Sequence, residues 1–247
     1  IVFKDVTDDI ACLGIFGPKS RILMSKLSNF DFSNNNFKFG TSKKIKINNK
    51  EVLAQRLSYV GERGFELYIK MNEVKEIYNL VVEAGKEFNL CHCGMLAMDT
   101  MRMETGYLHW GHDISPEENQ YQAGLEFAIS YKKNIDFIGK ESLLKIKEKK
   151  IIKKLIMLTL NDSKPGEPLL LHDEPIYKGD EIIGRTTSGN FSFNYNKNLA
   201  FGYVNTKLSK QELLKENLFI EVEKKKYSAS IILKPLNKKN IRSNLTK

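Results

Sequence analysis

The sequence is short of several things that would otherwise fix its class. It has three cysteines, at positions 12, 91 and 93, too few and too odd a set for a disulfide framework, so a reduced chain is expected. Cys91-His92-Cys93 opens in the manner of a metal site, but no second ligand pair follows at usable spacing; the expectation is no metal. No uninterrupted apolar run reaches the roughly 18 residues that a membrane-spanning helix needs, so no membrane partner is expected. The opening stretch IVFKDVTDDIACLGIFG reads as ordinary domain sequence rather than a leader, which points to the cytoplasm, or to the mitochondrial matrix in a eukaryote. Because the chain starts on Ile1 and enters a strand-like run almost at once, upstream sequence is expected.

Arginine is scarce too: only six of the 39 basic residues are Arg. The net charge of +9 invites a nucleic-acid reading. Yet the lysines are scattered, and the clusters at 43–46, 145–154 and 224–226 carry no interleaved aromatic residues. Nucleic acid is therefore not the expected partner, and the charge is better read as a field that draws small anions.

What is present suffices for real cores, with 41% hydrophobic and 10% aromatic residues in 247. IACLGIF (10–16) fits a buried strand, and Gly17-Pro18 then turns into a helix running to about Leu27, with Ile22, Leu23 and Leu27 facing inward. KIKI (44–47) and VLAQRLSYV (52–60) flank an Asn48-Asn49 turn. In YVGERGFELYI, two glycines three apart mark a turn, after which Phe65, Leu67 and Ile69 alternate with Glu66 and Tyr68. Val74, Ile77, Leu80, Val81 and Ala84 then recur at helical spacing over 73–86. After residue 150 the character changes to short β-rich runs: KKLIMLTL, PLLL, IYKGDEIIGRTTSG, LAFGYV, LFIEV and KKYSASIIL. Pro165-Gly166, Lys178-Gly179-Asp180 and Gly189-Asn190 punctuate them, and a single short helical turn is expected near 210–215. The expected organisation is α+β: an α/β domain over 1–150 and a small all-β barrel or sandwich over 151–247.

Between these halves lies the most unusual stretch, GMLAMDTMRMETGYLHWGHDISPEENQYQAGL (94–125). Its first part reads as a helix from Gly94 to about Glu104, with Asp99 and Arg102 paired on its surface and Gly106 ending it. The loop beyond holds the only Trp, Trp110, and two of the four His, His109 and His112. The imidazoles suit either general-base work or a structural hydrogen-bond network, and the network is the better reading. Trp110 likewise reads as a packing anchor, and Asp99 and Asp113 as capping or pairing groups.

Taken in order, YVGERGFELYI, LAMDTMRMETGY, GHDI, QAGLEF, DFIGKESL, IGRTTSG and LAFGYV resemble the motifs of the glycine-cleavage T-protein (aminomethyltransferase) superfamily. The HWGHDISP variant looks closer to the folate-binding C-terminal part of dimethylglycine and sarcosine dehydrogenases. The resemblance implies a tetrahydrofolate-dependent one-carbon transfer module with a terminal β-barrel, and it places Glu66 on the pterin with Tyr59 lining the same site. Arg102 is the basic residue nearest the place of the family's helix arginine, where this chain has Met98, and Trp110 is a further candidate for the folate site. The family's catalytic Asp belongs to an N-terminal part expected upstream of Ile1. In a dehydrogenase-like protein that upstream part would carry a flavin (FAD) domain acting on a small methylamine. In a free-standing aminomethyltransferase the donor would instead be an aminomethyl group on a lipoyl carrier protein. A non-catalytic folate-binding or regulatory module is the third possibility. The product implied for a catalytic module is 5,10-methylenetetrahydrofolate.

Overall fold

Period-two alternation builds the first sheet. In the computed structural model, which describes residues 1–133 and 135–237, β1 (Ile10–Phe16), β2 (Ser42–Ile47), β3 (Lys50–Gln55) and β4 (Gly64–Lys70) form an antiparallel sheet in the order β1-β4-β3-β2. Asn48 and Asn49 make the β2–β3 turn with φ of 46° and 61°, the left-handed pair that a two-residue hairpin requires. One face of the sheet carries Ile15, Ile45, Val52, Ala54, Phe65 and Leu67, all buried. Helices α1 (Ser20–Leu27) and α2 (Val74–Gly85) contribute Leu23, Met24, Ile77 and Val81 to the same core. Phe32 and Phe37 pack against Phe65 at ring-centroid distances of 5.4 and 5.6 Å. Each such side chain contributes about 1.5–3 kcal/mol through burial. The other face holds Cys12, Gly14 and Phe16 from β1, Leu53 and Gln55 from β3, and Glu66 and Tyr68 from β4. None of these seven residues is buried.

Helix α3 (Met95–Thr105) completes this unit, which comprises residues 1–105 together with Asn237. Its last turn is buried at Arg102, Met103, Glu104 and Thr105, and Gly106, at φ 80°, ends it. Three local expectations need correction. Ile22 is 55% exposed while Met24 is buried, because the helix turns one residue further than the apolar pattern suggests. The strand after the Asn turn stops at Gln55, where Arg56 leaves the ladder. Asp99 and Arg102 do pair, at 2.7 Å, but Arg102 is 1% exposed; the arginine end of the pair is buried rather than on the surface.

Residues 106–236 form the second unit. After α4 (Lys140–Lys147), the strands β5 (Lys153–Leu160), β6 (Pro175–Lys178), β7 (Glu181–Ser192), β8 (Lys197–Asn205), β9 (Leu218–Val222) and β10 (Lys225–Ile232) close into a barrel in the order β10-β5-β8-β7-β6-β9. Every neighbouring pair is antiparallel, and closure leaves no edge strand to protect. The short helix α5 (Lys210–Leu213) starts at a capping box made by Ser209 and Glu212. PLLL is not a strand: Leu170 enters the barrel core while Leu169 and Leu171 stay exposed. Gly189-Asn190 is not a turn either, since β7 runs straight through it. A Cβ on Gly189 would lie 2.8–2.9 Å from the backbone C and O of Leu170, so this glycine exists for the close approach of that segment.

The HWGHDI loop is fastened within this second unit through Asp113. Its carboxylate, fully buried, accepts hydrogen bonds from the His109 backbone N–H at 2.9 Å, the Thr187 hydroxyl at 2.6 Å and the Ser188 hydroxyl at 2.8 Å. The Tyr203 hydroxyl donates to the Asp113 carbonyl at 2.9 Å, and burial, then Glu118 and Asp113, raises that phenol well above its ordinary pKa. The pairing expected for Asp113 therefore reaches beyond its own loop to β7 and β8.

Candidate ligand-binding face

The partly open face of the first sheet is where the charged and aromatic chemistry of the motif collects. In the β1–β4 ladder Cys12 stands opposite Tyr68, Gly14 opposite Glu66 and Phe16 opposite Gly64. Glu66 and Tyr68 are two apart on one strand, so they share a face. The Tyr68 hydroxyl donates to Glu66 Oε2 at 2.9 Å. That bond first, then burial and the negative charge itself, pushes the Tyr68 phenol up to about 12. Burial and then the Glu66 charge raise the Cys12 thiol as well. A carboxylate offers about four lone-pair sites. Among the described residues Tyr68 is the one side chain bonded to Glu66, so both oxygens retain acceptor capacity.

Beside this carboxylate lies an aromatic plate. A Cβ on Gly14 would fall 2.5 Å from Phe16 Cε2, and one on Gly64 would fall 2.7 Å from Phe16 Cε1. The Phe16 ring thus occupies the space that side chains at both positions would fill. Gly64 opens β4 at an ordinary φ and is needed for this ring, whereas Gly61, three residues earlier, has φ 76°. A Cβ on Gly61 would meet the Thr105 hydroxyl and, at 2.9 Å, the Asn237 side-chain amide. The two motif glycines therefore have different causes: one makes a turn against the end of α3, the other makes room for a ring.

The other sequence candidates are distributed as follows. Tyr59 lies half-buried in the connection between β3 and β4, and the hydroxyl on Glu66 is that of Tyr68. Arg102 is enclosed, with Nε and Nη2 both 2.7 Å from Asp99 Oδ1. Trp110 is in the second unit and is 65% exposed, so it is not the packing anchor that its composition suggests. The His109 and His112 rings lie 4.6 Å apart between centroids, tilted at 46°, and the His109 backbone joins the Asp113 network. In Cys91-His92-Cys93 the His92 ring is hydrogen-bonded to the Tyr78 hydroxyl at 2.8 Å. Sequence reasoning passed over Phe16, Gly14 and Tyr68. The signal for the first two is the small–small–aromatic alternation Cys12-Gly14-Phe16, which acquires meaning only once register sets it against 64–68.

Comparison with known families now bears on this arrangement. The GCVT N-terminal domain matches residues 1–133, and the glycine cleavage T-protein C-terminal barrel domain matches residues 153–238. The chain belongs to the glycine cleavage T-protein family. Human mitochondrial dimethylglycine dehydrogenase is 36% identical over 238 residues, 96% of this chain but 27% of that protein. An aminomethyltransferase of Symbiobacterium thermophilum is 35% identical over 201 residues, covering 81% of this chain and 52% of its own length. The chain thus spans about a quarter of the dehydrogenase and about half of the transferase. The crystal structure of glycine cleavage system aminomethyltransferase T from Bartonella henselae superposes with a TM-score of 0.78 at 20% identity, over 92% of this chain and 59% of that one. At that identity it shows the shared fold. No helix among the described residues is long and apolar enough to cross a membrane.

Proposed function

We propose that this chain is the tetrahydrofolate-binding part of a one-carbon transfer enzyme, and that Glu66 with the Phe16 plate is its pterin site. The observation that carries the reading is the pairing of a half-buried carboxylate, one oxygen already held by Tyr68, with an aromatic ring that fills the space above Gly14 and Gly64. A reduced pterin is flat and presents a ring N–H beside an amino group. Its edge suits a two-oxygen acceptor and its face suits a phenyl plate. The residues present therefore fit the group. Glu66 would accept both donors, Tyr68 would hold the carboxylate in orientation, and Phe16 would fix the plane of the ring. Tyr59 would line the same site. When bound, tetrahydrofolate supplies the nitrogen that receives the one-carbon unit. Cys12, its thiol kept protonated, gives that face a neutral neighbour that does not compete for the pterin N–H groups.

The one-carbon donor in this reading is an N-methyl amine oxidised by a flavin domain in the same protein. The likeness to the human dehydrogenase and the HWGHDISP motif (109–116) support it. An aminomethyl group delivered on a lipoyl carrier is the second reading, supported by the transferase relative. The test of the site is Glu66→Gln, which keeps size and removes charge. Tetrahydrofolate affinity, measured by calorimetry on the purified protein, is expected to fall by about 1.5–3 kcal/mol, the worth of a charge-assisted contact. Unchanged affinity would remove Glu66 from the site.

A further inference from the structure

The sheet that carries Glu66 ends on β2, whose outer edge has no strand beside it among the described residues. Register decides which backbone groups that edge presents. The Asn48-Asn49 turn closes on the Ile47–Lys50 pair, and Ile45–Val52 and Lys43–Ala54 follow at intervals of two. In a two-residue hairpin the flanking pair is hydrogen-bonded, so Lys43, Ile45 and Ile47 direct their N–H and C=O groups at β3. The bond from the Arg56 N–H to the Thr41 carbonyl, at 3.0 Å, continues the same phase. The N–H and C=O groups of Lys44 and Lys46 therefore point outward, away from the ladder.

Those same residues line a cleft. Its volume is about 520 Å³, with Lys44, Ile45 and Lys46 contributed by the strand and Leu27, Asn29 and Phe30 by the end of α1 and the segment after it. Leu27 and Phe30 are half-buried and pack against the core, which gives the cleft an apolar side. Ile45 and Ile47 are buried, so strand alternation puts the Lys44 and Lys46 side chains on the opposite face. The lining is net positive, Lys26, Lys44 and Lys46 standing against Glu51. Lys44 pairs with Glu51 at 2.9 Å and Lys26 with Glu87, whereas Lys46 makes no ion pair among the described residues. The hydrogen bond and charge of Lys44, then the charges of Lys70 and Lys46, hold the Glu51 carboxyl below its ordinary value.

We propose that the outer edge of β2 docks an extended acidic peptide segment of a partner protein, which adds a fifth strand to this four-stranded sheet. The outward N–H and C=O groups of Lys44 and Lys46 pair with such a strand. Its side chains alternate, so acidic residues lie beside Lys44 and Lys46 while apolar ones enter the cleft against Leu27 and Phe30. Lysine on an edge strand ordinarily guards against pairing with other strands. Here the guard is selective. A second copy of β2 would set lysine against lysine, which is destabilising, whereas a glutamate-bearing strand meets opposite charge. The site is separate from the pterin reading and does not depend on it.

The test is fluorescence anisotropy of the purified protein with a labelled, alternating Glu-Val peptide, against a Lys-Val peptide of the same length at fixed ionic strength. The acidic peptide should bind and the basic one should not. Amide hydrogen exchange read by NMR should slow at Lys44 and Lys46 in the complex. Lys46→Gln should raise the dissociation constant roughly two- to fivefold, the worth of one cross-strand charge pair. Lys46→Pro should raise it roughly tenfold or more, because it also removes an outward N–H. Proline is tolerated at an edge position whose N–H the ladder does not use. Glu66→Gln should leave the affinity unchanged. Absence of binding by the acidic peptide overturns the proposal, as do unslowed amides at Lys44 and Lys46 or equal losses in the two Lys46 variants. The exchange measurement on the parent protein decides the matter even where the proline variant folds poorly.

Discussion

Gly14→Ala and Gly64→Ala offer a sharp test of the plate, because they add the same methyl group on the same sheet face with different consequences. At Gly14 the three atoms nearest the new carbon all belong to the Phe16 ring, with Cε2 at 2.5 Å. A ring at the end of a side chain can swing away. Against that displacement stands a gain of about 0.4–1 kcal/mol from restricting the unfolded chain, so overall stability should change by less than about 1 kcal/mol. At Gly64 the carbon meets the Phe16 ring and also the backbone oxygen of Ile15 at 2.9 Å. That oxygen belongs to β1, held in register against β4, and cannot move alone. Overpacking against fixed backbone costs about 1–3 kcal/mol, so Gly64→Ala should be clearly destabilised. Adding Phe16→Ala to each variant should abolish the interaction at Gly14 and leave a residual penalty at Gly64. Urea unfolding followed by far-UV circular dichroism reads these four variants together with Phe16→Ala alone and the parent. A Gly64→Ala protein as stable as the parent would refute the close packing of β1 on β4. In the pterin reading, both single variants should also weaken tetrahydrofolate binding, since both displace the plate.

The raised Cys12 thiol gives a pH prediction. A raised pKa means less thiolate at a given pH, so iodoacetamide labelling of Cys12, resolved by peptide mass spectrometry, should lag behind Cys91 and Cys93 at pH 8–9. Glu66→Gln should move the Cys12 profile toward lower pH by removing one of the two causes, while the larger one, burial, keeps it from full recovery; no movement would mean the two side chains do not sense each other. Asp113→Ala strips three donors of their shared acceptor in a buried setting and should destabilise the barrel unit by about 3 kcal/mol or more. Limited proteolysis should then cut first within 109–114, and an uncut loop would place its anchor elsewhere. Asp113→Asn, which keeps acceptor capacity on one oxygen, should lose less.

Local pattern was enough for much of the framework. The alternation in 64–70, the Asn48-Asn49 turn and the apolar spacing of 74–84 each dictate an element through interactions between near neighbours. The β-rich runs after 150 announced an all-β unit, but PLLL and Gly189-Asn190 were misread, since whether an apolar run joins a ladder depends on which strand stands beside it. The Asp99–Arg102 pair was legible and its burial was not: spacing of three makes the contact, and packing of the last turn of α3 decides the environment.

What the sequence alone determined is the kind of element at each place, the family motif order, and Glu66 as the carboxylate on the second face of its strand. Only the tertiary structure decided that the Phe16 ring fills the space above Gly14 and Gly64 beside it, and that the Tyr68 hydroxyl holds one of its oxygens. These groups are separated by up to about fifty positions along the chain, and no local interaction selects among their possible partners. Strand register does, because burial of the apolar face fixes β1 against β4 residue by residue and carries the opposite face into place with it.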